Sequence, residues 1–426
     1  MEIRPFRGWR YNLADVSDVI APPYDVLTAG DKQRLLAGSD KNIVAVDLPH
    51  VPPAEAGPDE AYQKAADLLS QWIADGVIRQ DEDPCLYAYE QLYRWAGKTY
   101  SRRSLLCSVR AGDVDGDVIP HEQTSAGPRA DRLKLTEYTA VQLSPIFGFF
   151  EDKMGAMGDA LASAVAGDPD ARGELNGVTE KLWVLSASDV IRKIASALMD
   201  VPVFIADGHH RYTTAVNYRD ALLSAGRIDS DHEANFVMFA LVARDDPSLL
   251  ILPMHRIVRN LSEDFAIDRL VATATEFSWQ RCSVEDVDPT DAGAFLHRYG
   301  PGAMGFAGAD PAEVWVAKLK DGGAMARAAP DQPEAWRSLD VAVLHKLIID
   351  RALEPWRTPD LFIEYTADGR SVMAACESAR AHLGVFLQST PLQAVEQVAL
   401  AGAVMPYKST YFFPKLATGM VLKGLE

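Results

Sequence analysis

The chain has 426 residues, 48% of them hydrophobic and 24% charged, the balance of an ordinary soluble globular protein and not of a disordered one. At about 150 residues per domain it has room for two or three lobes. Its formal charge of -18, from 60 acidic against 42 basic residues, disfavours nucleic acid as a partner but leaves room for a small anion, because a pocket needs only a few local donors.

The four cysteines, Cys85, Cys107, Cys282 and Cys376, are far apart and form no CxxC pair. That spacing points to a reducing compartment and away from a cysteine-based zinc site. The first residues carry arginines and no apolar leader segment, and no stretch approaches the ~18 apolar residues of a membrane span. A cytoplasmic protein with no membrane partner is therefore expected.

In chain order, residues 1–50 read as short extended pieces: Val19 and Ile20, the rigid turn Ala21-Pro22-Pro23-Tyr24-Asp25-Val26, and a strand from Asn42 to Leu48. A helix is predicted over about 59–74, where Tyr62, Ala65, Ala66, Leu69, Trp72 and Ile73 share a side. The runs Leu86–Trp95 and Thr99–Val109, joined by Ala96-Gly97-Lys98, read as a hairpin. Gly112 to Gly127 reads as loop and contains His121-Glu122-Gln123-Thr124. Ser163–Gly177 is expected as a surface loop, followed by a strand at Lys181–Leu185 and a helix over about 188–198.

The stretch Val201 to Ala206 is strand-like, and beyond Asp207-Gly208 the apolar period changes to that of a helix. Asn235–Val242 is a strongly apolar strand, and Leu249–Pro253 leads into His255-Arg256. Further on, helices are expected over about 262–275, 338–353 and 391–401, with strands at Met304–Ala307, Val314–Lys318, Leu361–Tyr365 and Gly384–Leu387. Asp321–Glu334 reads as another surface loop. These elements predict an α/β or α+β protein with mixed sheets in two lobes, 1–228 and 229–426.

The chemistry concentrates at the turn after Ala206. A strand running through Asp207-Gly208 into a helix gathers the free N–H groups of the first helical turn and the positive end of the helix dipole. Such a spot binds anions. Gly208 allows positive φ or close backbone approach, His209 and His210 donate or accept near neutral pH, and Arg211 offers a guanidinium fork. Thr213 and Thr214 add hydroxyls. The plainer alternative makes Asp207 a helix cap and the basic residues a network satisfied elsewhere in the fold.

His121-Glu122 lies in a loop ahead of Arg129, Asp131, Arg132 and Lys134. A carboxylate beside a histidine suits a general base or a metal site, although the second histidine of HExxH is missing. The P-loop, the first-strand GxGxxG and the GxSxG elbow are also missing. Near the end, Lys408 and Lys415 flank Ser409, Thr410 and a run of aromatics, and could form the cationic edge of a pocket.

Five motifs in this order, APPYDV, HEQT with a following DR, ADGHHRYTTA, PMHR and MPYKSTYFFPKL, resemble a widespread prokaryotic family catalogued as domain of unknown function 1015. The resemblance spans almost the whole chain and implies no activity. A shorter one adds chemistry: IADGHHRYTTA is similar to the glycine-and-arginine helix start of the ParB and sulfiredoxin superfamily, which holds nucleotide phosphates. That superfamily includes a free-serine kinase. The similarity implies a strand-turn-helix anion element, with Gly208, His209, His210 and Arg211 as phosphate contacts and Thr213 or Thr214 as helix-end donors. By analogy with the kinase branch, Glu122 is the base.

The expectation drawn from these residues is a nucleotide- or phosphate-binding enzyme that transfers a phosphoryl group involving a small hydroxyl metabolite, serine by analogy. ATP or ADP with Mg²⁺ would serve it. Glu122, His210 and Asp207 are the catalytic candidates; Gly208, His209, Arg211, Thr213, Thr214, Lys408 and Lys415 are the phosphate-binding ones. Two rivals use the same residues: a metal-dependent hydrolase with His121, Asp207 and His255 as ligands, and a non-enzymatic sensor of an anionic metabolite.

Overall fold

The computed structural model describes residues 1–112, 116–308, 310 and 312–426. The chain is a mixed α/β protein with parallel and antiparallel pairings. It divides into two compact units, Met1–Leu249 with Pro414–Glu426, and Leu250–Phe413. No helix among the described residues is long and apolar enough to cross a membrane.

In the first unit the main sheet runs in the order Val118–Ile119, Val203–Asp207, Ile146–Phe150, Phe236–Ala243, Lys98–Arg110, Leu86–Trp95, Val178–Leu185, Ala171–Leu175. Ile3–Arg4 adds to Lys98–Arg110. The hairpin turns through Ala96 and Gly97, both at positive φ, which suits a two-residue loop between right-twisted strands. Phe236–Ala243 is central and buried along nearly all its length, which explains its unbroken apolar run. It pairs in parallel with Ile146–Phe150 and antiparallel with Lys98–Arg110.

The core joins Phe239, Leu241, Phe150 and Ile205 from the strands to Leu161, Ile194 and Tyr212 from the helices Ala156–Ala164, Ser188–Leu198 and His209–Ser224. The helix Asp59–Ala74 buries Tyr62, Ala65, Leu69 and Trp72 on the expected side. A smaller sheet pairs Gly8–Tyr11 with Ile78–Gln80 and with Leu422–Gly424, which also meets Val141–Gln142.

Three stretches of the first unit differ from the sequence expectation. Residues 42–48, expected as a strand, form the short helix Val44–Asp47. The cause is Asn42, whose side chain accepts from the Val44 N–H and donates to the carbonyls of Asp18 and Ile20, so the backbone bonds locally rather than in a ladder. Ser163–Gly177, expected as loop, contains the strand Ala171–Leu175, turned back onto Val178–Leu185 by Asn176-Gly177, both at positive φ. In the Gly112–Gly127 stretch, residues 113–115 lie outside the described residues; Val118–Ile119 pairs with Val203 and Phe204, and a helix, Ala126–Thr139, begins at Ala126.

The second unit holds an antiparallel sheet in the order Phe277–Ser283, Glu313–Leu319, Met304–Ala307, Leu383–Phe386, His255–Leu261, Arg357–Thr366. Val372, Met373 and Cys376 of the helix Gly369–Glu377 pack with Phe295 and Leu296 of the helix Ala292–His297 into its core. The helix expected over 262–275 is confined to Ile267–Thr273, because Asp264 engages Ser262 and Ala266 has an extended backbone. The helix expected over 338–353 runs as Asp340–Val343 and then with π-helical pairing over Leu344–Ala352.

Candidate anion site at the Asp207–Gly208 turn

The strand Val203–Asp207 ends at Gly208, whose φ of +94° lies in the left-handed region, and the helix His209–Ser224 starts there. Glycine is favoured for two reasons. Any other residue would be strained at that φ, and a Cβ would sit 2.9 Å from the Arg211 Nη2. Asp207 does not cap the helix; it is the centre of an ion-pair cluster. Arg211 Nη2 lies 3.0 Å from Asp207 Oδ2, and the Lys415 ammonium donates to Oδ1. The other amino group of Arg211 donates to Ser144 Oγ at 3.0 Å and to the Pro145 carbonyl.

Burial alone would raise the Asp207 pKa. The charges of Lys415 and Arg211 outweigh it and hold the carboxyl well below the usual range.

The HEQT loop is fastened onto the same turn by the two imidazoles. The His121 N–H donates to His209 Nε2 at 3.2 Å, and the Ser125 N–H donates to His210 Nε2 at 2.9 Å. An N–H aimed at Nε2 requires that nitrogen to be the acceptor, so the ring proton is on Nδ1. His209 Nδ1 lies 3.7 Å from Glu122 Oε2, and the His121 and His209 rings meet edge to face at 4.5 Å. Burial drives the His121 pKa down to about 4, and burial together with neighbouring His121 drives that of His209 well down, so both rings are neutral at pH 7. Thr213 Oγ1 donates to the His209 carbonyl, within its own helix.

A further set of residues, not singled out from the sequence as a site, surrounds Arg211. Arg132 of the helix Ala126–Thr139 donates to Asp131 and to the Asp47 carbonyl, and its guanidinium lies 4.0 Å over the Tyr24 ring of PPYDV. Tyr62 donates to Asp131 from the other side. Asp47, Arg132, Ser144, Arg211 and Thr214 line a cavity of about 50 Å³. Thus Tyr24 of PPYDV packs on Arg132 of the DR pair, and Arg132 shares the lining of one cavity with Arg211 of DGHHR. No local pattern in the sequence marks Asp47 or Ser144, because both matter only through partners far away along the chain.

Lys415 is held by its backbone. Arg102 donates to the Pro414 carbonyl at 2.6 Å, Gln91 to the Lys415 carbonyl at 3.1 Å, and Tyr89 accepts from the Ala417 N–H. The buried Glu180 carboxyl accepts from both Tyr89 and Gln91. Burial raises its pKa to about 7 despite those bonds.

His255 and Lys408 belong to the second unit. His255 is buried against Phe386, its Nδ1 accepts from the Leu387 N–H, and burial followed by neighbouring Arg256 lowers its pKa to about 4. The Lys408 carbonyl accepts from Arg256, and its ammonium lies 5.6 Å over the Tyr407 ring. Among the described residues, no group of three or more His, Cys, Asp or Glu side chains is arranged to hold a metal ion.

No curated protein matches the chain. Among solved structures, a free serine kinase in complex with AMP is similar at 12% identity and a TM-score of 0.32, over 71% of this chain and 89% of that one. A conserved hypothetical protein from Pyrococcus furiosus is similar at 11% identity and a TM-score of 0.32, over 71% of this chain and 92% of that one. C-terminally truncated SbnI from Staphylococcus aureus is similar at 11% and 0.32, over 74% and 85%. Likeness of this degree carries no argument about activity. The family match is much more extensive: over residues 3–342 the sequence matches the model described as protein of unknown function (DUF1015), and the chain belongs to that family.

Proposed function

We propose that the first unit binds the phosphates of a nucleotide, ATP or ADP, at the Asp207–Gly208 turn and transfers a phosphoryl group between it and a small hydroxyl compound. The observation that carries this reading is the pairing of Lys415 and Arg211 with one carboxylate at the start of a sixteen-residue helix. Two cations, the backbone N–H groups of the first turn and a glycine without a Cβ are what a phosphoryl group needs, because its transfer depends on positioning and charge neutralisation.

In this reading Lys415 and the backbone at His209 and His210 meet the phosphate oxygens. Arg211 sets the position of Asp207, and Asp207 sets that of Lys415. Glu122, on the loop fastened by His209 and His210, takes the proton of the attacking hydroxyl as the new P–O bond forms and the bond to the nucleotide breaks. Asp207 does not fit as a magnesium ligand, since the Arg211 and Lys415 cations that hold its two oxygens would repel a divalent ion there. No step is assigned to a metal.

Calorimetric titration with ATP, ADP and CTP in Mg²⁺, for the wild type and Lys415→Met, tests the reading. Nucleotide binding weakened at least about tenfold by the substitution is expected, the loss of one charge-assisted contact. Phosphorus NMR with serine and other hydroxyl compounds then follows turnover. A wild type that binds no nucleotide sinks the proposal, and binding that leaves the nucleotide intact makes the protein a sensor.

A further inference from the structure

The cavity beside Arg211 combines apolar lining from Leu135, Leu143 and Val237 with the polar side chains of Arg132, Arg211 and Thr214. Two buried polar atoms of that lining have no hydrogen-bond partner. They are Thr214 Oγ1, in a residue 3% exposed, and Arg132 Nη2, in a residue 5% exposed. Nη2 lies 2.6 Å from Asp131 Oδ2 in an ion pair outside hydrogen-bonding geometry, while Nε of the same guanidinium donates to Asp131 and Nη1 to Asp47. Native folds keep few such atoms, and those they keep call for an explanation.

Both atoms can donate, and a carboxylate, with two acceptor oxygens, offers one to each. The cavity, at about 50 Å³, exceeds the roughly 10–15 Å³ that one water molecule needs, and its apolar lining accepts one or two carbons. A phosphate fits less well. Its further oxygens would face apolar side chains, and its charge of nearly -2 would oppose the Asp47 carboxyl in the lining more strongly than the single charge of a carboxylate does. We infer that this cavity is a binding site for the carboxylate of a small organic acid, held by Arg132 and Thr214. Taken with the phosphoryl-transfer reading, on which this assignment of role rests, the acid is the acceptor, a small hydroxycarboxylate.

The test is titration of the full chain, without nucleotide, with glycolate, acetate, inorganic phosphate and ethylene glycol. Glycolate and acetate should bind, and phosphate and ethylene glycol should not. Thr214→Val should weaken acid binding about tenfold while the unfolding midpoint stays level or rises, because an unmatched hydroxyl has been removed; Thr214→Ser should restore affinity. Leu143→Phe, which fills the cavity, should abolish acid binding and serves if Thr214→Val fails to fold. The inference is overturned if the wild type binds no carboxylate, if phosphate binds in preference, or if Thr214→Val or Leu143→Phe binds acid as the wild type does. Nucleotide titrated in parallel separates the two ideas. Acid binding without nucleotide binding removes the phosphoryl-transfer reading and leaves the acid site, and the reverse removes the acid site alone.

Discussion

Lys415 donates to the Asp207 carboxylate across 208 residues of sequence, and Arg211 holds the other oxygen of that carboxylate from four residues away. One short-range and one long-range cation therefore share a single acidic group. The short-range pair belongs to the turn itself, whereas the long-range pair exists only because residues 414–426 return to the first unit.

Replacing Lys415 by Met should cost about 1–3 kcal/mol of stability at pH 7, the range for removing one partner of a charge-assisted hydrogen bond. The folded pKa of Asp207 is depressed below its ordinary 3.8. Its contribution is therefore whole above that value and is lost as the pH falls from there toward the folded pKa. In Lys415→Met the folded pKa rises, so the loss on acidification should be smaller. Urea unfolding between pH 7 and pH 3 measures both effects; equal curves for the two proteins would remove Lys415 from the cluster.

Glu180 behaves in the opposite sense. Burial raises its folded pKa from 4.5 to about 7, so the folded state retains a proton that the unfolded state gives up. The cost begins as the pH rises above 4.5 and is complete above about 7. Glu180→Gln should match the wild type near pH 4.5 and exceed it near pH 8 by up to roughly 3 kcal/mol. A difference that does not change with pH would show that the carboxyl ionises normally.

Gly208→Ala places a methyl group 2.9 Å from the Arg211 guanidinium at a φ of +94°. About 1–3 kcal/mol should be lost to backbone strain. The displaced Arg211 should weaken nucleotide binding further. Thermal unfolding and calorimetry read the two effects, and an unchanged melting temperature would argue against the left-handed turn.

His209→Phe keeps a ring of similar size but removes the acceptor for the His121 N–H. A cost of about 1–3 kcal/mol is expected for the amide left unmatched. The more specific readout is amide hydrogen exchange, which should quicken at His121 and along the HEQT loop. Unchanged exchange there would mean that another group holds the loop.

Where structure was legible in the sequence, the reason was local. The helix Asp59–Ala74 was readable because its apolar residues recur at helical spacing, and the hairpin at Ala96-Gly97 because the turn chemistry and the flanking alternation agree. The turn at Asp207-Gly208 was visible because one glycine ends a strand period and begins a helical one. Asn176-Gly177 carried the same kind of signal inside a polar stretch, and that stretch reads as loop only if the dipeptide is overlooked. Val44 and Val46 misled because branched side chains suit strands, while the decisive interaction was the side chain of Asn42.

The sequence by itself determined a mixed α/β chain and the place where a strand meets a helix at a glycine beside two histidines and an arginine. Tertiary structure alone decided what those side chains face beyond the turn: both imidazoles hold the HEQT loop, Arg211 meets Ser144, Arg132 packs on Tyr24, and Lys415 joins Asp207. The physical reason is range. Periodicity and turn preference act over a few residues, whereas buried charges must find opposite charges wherever folding brings them, and no local pattern records that partner.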